Sequence, residues 1–324
     1  MADCDVSGKQ GKILVIRGGA IGDFILTLPA IAALRQHFPR AHLEILGYPH
    51  IAQLALAGGC VDAVRPIEAR ALAGFFARNG ELSEELRDYF SEFDLIISYL
   101  YDPDQIFQSN VRRCTPAQFI AGPHRPDEAA GVHATRVFLR PLERLAIFDA
   151  DPVPRLRLPP DPEGPTGWLA LHPGSGSERK NWPEARWADL FRRLLEVPER
   201  RFLLVGGDAE GARLQHLAAA APPSRRQVCQ SLPLAQLARR LQSCRGFVGH
   251  DSGITHLAAA VGLPVVALWA DTSEAVWRPQ GERVRLIRWP KGLRALPVEE
   301  VQKAVEAMLA EHAGQEHAPT ATPG

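Results

Sequence analysis

The stretch "ILVIRGGAIGDFILTLPAIAALRQHFP", residues 13–39, decides the fold. A β-branched apolar run, Ile13–Ile16, feeds a glycine-rich turn, and an amphipathic helix is predicted over Asp23–Gln36. Strand, turn and helix in that order open a parallel, helix-covered sheet. The turn reads Gly18-Gly19-Ala20-Ile21-Gly22-Asp23, which is not the GxGxxG of a dinucleotide site. Glu44, at the spacing of a ribose-binding acid, falls inside "HLEILG" rather than at its tip. A carboxylate beside a helix N-terminus also competes with a pyrophosphate for its amides. From the loop alone, Asp23 reads equally as a helix N-cap or as a catalytic base.

Outward from that unit the alternation continues. Strands are predicted at His42–Leu46, Ala63–Ile67 and Leu95–Ser98, with helices at His50–Ala57 and Leu82–Phe90. Residues 149–167, "DADPVPRLRLPPDPEGPTG", carry six prolines and read as an interdomain break. Beyond it strands are predicted at Trp168–Leu171, Arg201–Val205, Gly246–Val248, Pro264–Leu268 and Val284–Ile287. Helices fall at Pro183–Glu196, Glu210–Ala220, Leu234–Gln242, Thr255–Val261 and in "PVEEVQKAVEAMLAEHA". The expected division is a domain over 1–150, a linker over 151–167, a second domain over 168–313 and a disordered tail over 314–324. The closing helix is a candidate for packing back on the first domain.

Composition narrows the function. The 324 residues are 46% hydrophobic and 23% charged, normal for a soluble globular chain. Lys+Arg and Asp+Glu both total 37, so overall charge supports neither a nucleic-acid partner nor a polybasic membrane anchor. Cys4, Cys60, Cys114, Cys229 and Cys244 are scattered without CxxC spacing and read as reduced thiols of a cytoplasmic protein. "MADCDVSGKQGK" has no apolar segment of a signal peptide, and no stretch has membrane-spanning length.

The second half carries the nucleotide signal. In "LALHPGSGSERKNWPEARWADLF", residues 169–191, Gly174, Ser175, Gly176 and Ser177 let amides and hydroxyls converge on phosphate oxygens. Lys180 is placed as a point charge on a diphosphate, or as a solvated lysine on a flexible loop. "FLLVGGDAEGARL" offers Asp208 and Glu210 past a strand tip, as ribose contacts or helix caps. "GFVGHDSGITHLAAAVGLPVVALW" sets Asp251, Ser252 and Gly253 before a helix containing His256, a second phosphate-compatible helix end. His250, Asp251 and His256 lack a further ligand spaced to complete a metal site. Asp102-Pro103-Asp104 and Asp149-Ala150-Asp151 have the form of divalent-ion motifs but lie in proline-containing turns that favour Asp for backbone reasons.

Taken together, "GGAIGDFILTLPAIAALRQHFP", "HPGSGSERKNWP", "GGDAEGARL" and "VGHDSGITHLAAAVGLPVVALW" resemble the heptosyltransferases of lipopolysaccharide core synthesis, glycosyltransferase family 9. The motifs occur in family order over most of the chain, while residues 68–150 match poorly. The resemblance implies a GT-B fold, two Rossmann-like domains facing across a cleft, with acceptor on the first and nucleotide sugar on the second, and no catalytic metal. It assigns Asp23 as catalytic base and Gly18, Gly19 and Arg17 to the acceptor. It assigns Ser175, Gly176, Ser177, Lys180, Asp208 or Glu210, Asp251, Ser252, Gly253 and His256 to the donor. The implied activity is inverting transfer of heptose from ADP-heptose, a substrate rather than a cofactor. The acceptor would be a glycolipid or oligosaccharide at the inner-membrane surface, with no oligomer required. Alternatives are a transferase of another sugar, a nucleotide-sugar epimerase, and a non-catalytic sugar-nucleotide-binding protein. A dehydrogenase is disfavoured by the incomplete glycine signature.

Overall fold

The computed structural model describes residues 10–316. The chain divides into two compact units, one holding residues up to Ala20 with Leu26–Pro152, the other Ile21–Ile25 with the residues from Val153 on. In the first unit the elements are β1 (Lys12–Arg17), α1 (Ile21–His37), β2 (His42–Gly47), α2 (Pro49–Ala57), β3 (Ala63–Pro66), α3 (Glu84–Ser91), β4 (Leu95–Ser98), α4 (Ile106–Arg112), β5 (Gln118–Ala121) and α5 (Ala134–Leu139). All strand pairs are parallel, in the order β3-β2-β1-β4-β5. Because β1 neighbours both β2 and β4, the order reverses there, which is where doubly wound sheets bind ligands beyond their strand ends.

The second unit repeats the plan. Its elements are β6 (Leu169–His172), α6 (Glu184–Leu194), β7 (Phe202–Gly206), α7 (Gly211–Ala219), β8 (Arg226–Gln230), α8 (Leu234–Gln242), β9 (Gly246–His250), α9 (Gly253–Ala260), β10 (Val265–Trp269), α10 (Glu274–Trp277), β11 (Val284–Arg288) and α11 (Val298–Glu316). Six parallel strands run β11-β10-β9-β6-β7-β8, with the reversal between β6 and β9. The central strands β6, β7, β9 and β10 are buried along their whole length, as strands covered on both faces must be.

Two strands and three helices escape the sequence pattern, the four-residue α10 among them. β8, "RQVCQ", is an edge strand and half-exposed, so it lacks an apolar run. β5 is four residues long, and α4 and α5 are barely two turns, too short for periodicity to register. Aromatic packing organises their region: Phe75, Phe90 and Phe107 share the first unit's core, with Phe75 and Phe90 centroids 4.8 Å apart. Buried Asn110 of α4 donates to the carbonyls of Phe75 and Ala77 at 3.0 and 2.9 Å, tying down the loop before α3.

The closing helix and the proline-rich stretch both differ from expectation. In α11, Val301, Val305 and Met308 sit in the second unit's own core, against residues of α6 and β10. The helix reaches Glu316, into the segment expected to be disordered, and the rest of that tail lies outside the described residues. Residues 153–158 are strapped to the second unit rather than free. The Leu156 amide donates to the Ala260 carbonyl at 2.8 Å, and the Gln242 side chain both accepts from and donates to the Leu158 backbone at 3.1 Å. Leu156 and Leu158 are buried beneath the strap. Cys60, Cys114, Cys229 and Cys244 are free thiols, and burial pushes Cys244 up to about 12. Cys4 and the amino-terminal segment lie outside the described residues.

Gln242→Ala would strand both backbone groups of Leu158 under the strap. We expect a loss of about 1–3 kcal/mol in urea unfolding, with far-UV circular dichroism unchanged. Wild-type stability would show that water replaces the amide at no cost.

Candidate functional site

The site is built at the reversal of the second sheet, on the loops that leave the adjacent strands β6 and β9. The β6 loop, residues 173–181, has at its second position a glycine that leaves room for the Glu210 side chain. A Cβ added at Gly174 would fall 2.2 Å from Cγ of Glu210. Glu210 is buried, and its carboxylate accepts the Gly207 amide at 2.9 Å. One side chain thus packs the β6 loop against the loop after β7. Gly176 turns the chain at φ +62°, a conformation that favours glycine. The Ser175 hydroxyl donates to Asn181 Oδ1 at 2.6 Å and lies 2.9 Å from the Ser177 carbonyl. Arg213, from α7, donates to the Pro173 carbonyl at 3.2 Å and reaches Glu178 at 3.3 Å.

His250 fixes this loop from the other strand. Its Nε2 accepts the Trp182 amide at 2.8 Å and the Trp187 indole N–H at 3.3 Å, and its Nδ1 lies 3.2 Å from the Gly174 carbonyl. Two donors on Nε2 leave the proton on Nδ1, so the ring is neutral and donates to Gly174. The side chain is fully buried, and that burial lowers its pKa to about 3. With its one lone pair occupied, this imidazole is a structural brace.

The next residues carry the charge. Asp251, 8% exposed at its side chain, holds Lys180 with Nζ 2.5 Å from Oδ2. Lys180 is therefore a fixed cation and not a solvated lysine on a flexible loop. Ser252 caps α9, accepting the Thr255 amide at 3.3 Å, and its hydroxyl is 3.4 Å from Nδ1 of His172. Burial lowers His172 to about 4. Gly253 is the first residue of α9, and buried His256 lies one turn in. Ser175, Ser177, Lys180, Asp251 and Ser252 thus meet across β6 and β9: a fixed ammonium, hydroxyls and a helix N-terminus. That set suits a diphosphate. Asp208 stands apart, exposed and bonded to the Ser231 hydroxyl. Arg213, Asn181 and His172 complete the set but were not picked out by sequence. Arg213 lay within "GGDAEGARL", with no spacing to mark a residue that acts through backbone carbonyls 40 positions away.

Helix α1 begins at Ile21, after Gly19 at φ +98°. Asp23 is consequently the third residue of the helix, not its N-cap, because the glycine turn delivers the helix two residues earlier than expected. It is a half-buried acid in the first turn, near the carboxyl end of β1. Gly18 sits between β1 and this turn. Arg17 is buried, donating to the carbonyls of His124 (2.8 Å) and Tyr99 (3.4 Å), with its guanidinium 4.5 Å from the Phe138 ring centre. Glu44 accepts from the Tyr89 hydroxyl at 2.7 Å, so a neighbouring side chain engages the acid at the ribose-binding spacing. Asp102 accepts the Phe107 and Gln108 amides at 3.1 and 2.9 Å, the backbone role expected of its Asp-Pro-Asp turn.

The chain is similar to known proteins over most of its length. Residues 157–305 match the profile of glycosyltransferase family 9 (heptosyltransferase). Lipopolysaccharide heptosyltransferase 3 of Escherichia coli K12 is 25% identical, over 90% of this chain and 96% of its own. Lipopolysaccharide heptosyltransferase 1 of Pseudomonas aeruginosa is 27% identical, over 81% and 79% respectively. Among solved structures, the E. coli ADP-heptose LPS heptosyltransferase II superposes with a TM-score of 0.76 at 18% identity, over 93% of this chain and 99% of that one. The fold is GT-B, and the protein is a glycosyltransferase.

The two buried histidines make the site acid-sensitive. Both have folded pKa values below the unfolded value of about 6.5. Their contribution is therefore complete above pH 6.5 and is lost as pH falls toward 4 and then 3. Unfolding free energy should decline with a slope of up to about 1.4 kcal/mol per pH unit for each histidine in that window. His250→Gln should reduce the slope by one proton, and an unchanged slope in urea titrations would show that His250 is already charged in the folded protein.

Proposed function

We propose that this protein is an inverting heptosyltransferase that moves heptose from ADP-heptose to a lipopolysaccharide inner-core acceptor. The observation that carries the reading is the Lys180–Asp251 pair at 2.5 Å, seated beside the capped end of α9 at the sheet reversal. The similarity to lipopolysaccharide heptosyltransferases supplies the sugar and the acceptor class.

In this reading Lys180, the amides around Ser175–Ser177 and the Ser252–Gly253 helix end bind the donor diphosphate. They stabilise the negative charge that grows on it as the glycosidic bond breaks. Asp251 and His256 contact the donor beside them, and Asp208, exposed past β7, is better placed for a ribose than buried Glu210. Asp23 takes the proton of the acceptor hydroxyl as that oxygen attacks the anomeric carbon. Gly18 and Gly19 leave room for the acceptor. Arg17 acts behind them through the Tyr99 and His124 carbonyls. The amino acids present suffice for these steps without a metal.

Lys180→Ala should weaken ADP binding about tenfold to a hundredfold, the share of one charge-assisted contact. The same loss in Lys180→Ala/Asp251→Asn, which orphans no carboxylate, would separate phosphate binding from instability. Unchanged affinity in calorimetry would remove Lys180 from the donor site.

Asp23→Asn keeps the shape and removes the proton acceptor. At the third helical position the lost charge–dipole term is only about 0.3–1 kcal/mol, so the melting temperature should barely move. Transfer should fall about a hundredfold to ten-thousandfold with ADP affinity retained. Near-wild-type transfer with chemistry rate-limiting would return Asp23 to a structural role. Donor turnover without acceptor would favour an epimerase.

A further inference from the structure

α5 and the 3₁₀ helix that follows it, Arg140–Leu145, run on without a break, with Leu139 and Arg140 both right-handed helical. The twelve residues are sharply two-faced. Ala134, Thr135, Val137, Phe138, Pro141 and Leu142 are buried, while Arg136, Arg140, Glu143 and Arg144 are exposed. Arg136 and Arg140, four positions apart at the end of α5, put like charges side by side, which destabilises a helix, and Arg144 follows in the 3₁₀ turn. Among the described residues their guanidiniums make no ion pair or hydrogen bond, and Glu143 pairs with none of them. Just past the segment Ala146 turns the chain at φ +58°, Ile147 is buried, and Phe148 is left 70% exposed. A row of unneutralised arginines and a solvated phenylalanine both lower the stability of the isolated protein. Both are satisfied by one kind of partner, a surface of phosphate diesters over hydrocarbon.

We propose that this face, Arg136, Arg140 and Arg144 with Phe148, docks the first unit on an anionic lipid bilayer. The guanidiniums pair with headgroup phosphates, and Phe148 enters the interface between headgroups and chains. Charge complementarity selects the bilayer. The chain as a whole is neutral, with 37 cations against 37 anions, so attraction to an anionic membrane must come from a local face such as this one. A lipid-linked acceptor, the reading proposed above, gives the docking its purpose.

The test uses the full-length protein and sedimentation with vesicles, without donor or acceptor, so its failure and that of the transfer reading are separable. Wild type should bind equimolar phosphatidylglycerol–phosphatidylcholine vesicles and not phosphatidylcholine alone, and added salt should release it. Each arginine contributes about fivefold in partitioning, so Arg136→Gln/Arg140→Gln/Arg144→Gln should bind about a hundredfold more weakly. Glu143→Gln should bind more tightly, and Phe148→Ser about tenfold less. The triple variant should transfer to a water-soluble acceptor at the wild-type rate. Equal binding by wild type and triple variant, or salt-insensitive binding by wild type, would overturn the proposal. So would a triple variant that binds vesicles normally yet fails on the soluble acceptor, which would assign the arginines to acceptor recognition.

Discussion

A single neutral imidazole holds the loops at the reversal of the second sheet in shape. His250 ends β9, yet the polar partners of its ring all belong to the chain that leaves β6: the Gly174 carbonyl, the Trp182 amide and the Trp187 indole. Parallel neighbours in a sheet exchange backbone hydrogen bonds only as far as the strands extend. Past the strand ends, two loops have no reason to keep a fixed separation. His250 carries the connection one layer further, and it does so only while uncharged, since a proton on Nε2 would face two N–H donors in a buried site. The ammonium of Lys180 and the carboxylate of Asp251 lie on the two loops it joins. Their pairing is therefore a consequence of the brace as much as of their own attraction.

The same logic recurs with other chemistry along the rim. Glu210 joins the loops after β6 and β7 by packing on Gly174 and accepting the Gly207 amide. Arg213 joins α7 to the Pro173 carbonyl, and the His172–Ser252 contact joins the tips of β6 and β9. Buried polar side chains spent on backbone groups give rigidity without presenting charge to a ligand. That division separates Glu210 from Asp208, which sequence left as equivalents: the first is consumed by the scaffold, and the second is open to solvent.

Where sequence reading succeeded and failed follows from the range of the forces involved. The opening strand–turn–helix was legible because each signal is local: β-branched residues, then glycines, then helical periodicity. So were Lys180 and Ser252, which sit beside small residues in loops flanked by clear elements. The place of Asp23 in α1 was misjudged by two residues, because the glycine turn starts the helix at Ile21 and nothing local marks that start. Arg213 and Asn181 carried no signal, and His250 was weighed only as a metal ligand, because the partners of all three are distant in sequence or are backbone atoms. β8 was invisible for a further reason: an edge strand is stabilised by one neighbour and keeps its other side in water, so its composition is that of a loop.

Those considerations bear on the first unit, where the family motifs thin out. Residues 68–150 still build a dense aromatic core, and Asn110 and Tyr99 spend their side chains on the carbonyls of Phe75, Ala77 and Phe138. The interior of this region is therefore as fully specified as that of the second unit, and its divergence must fall on what the interior does not constrain. That is the surface of short helices and turns, including Tyr101 and His124, edge to face with ring centres 4.6 Å apart, and the arginines of α5 and the 3₁₀ helix after it. The core beneath that surface fixes the backbone and its packing without dictating which side chains face solvent.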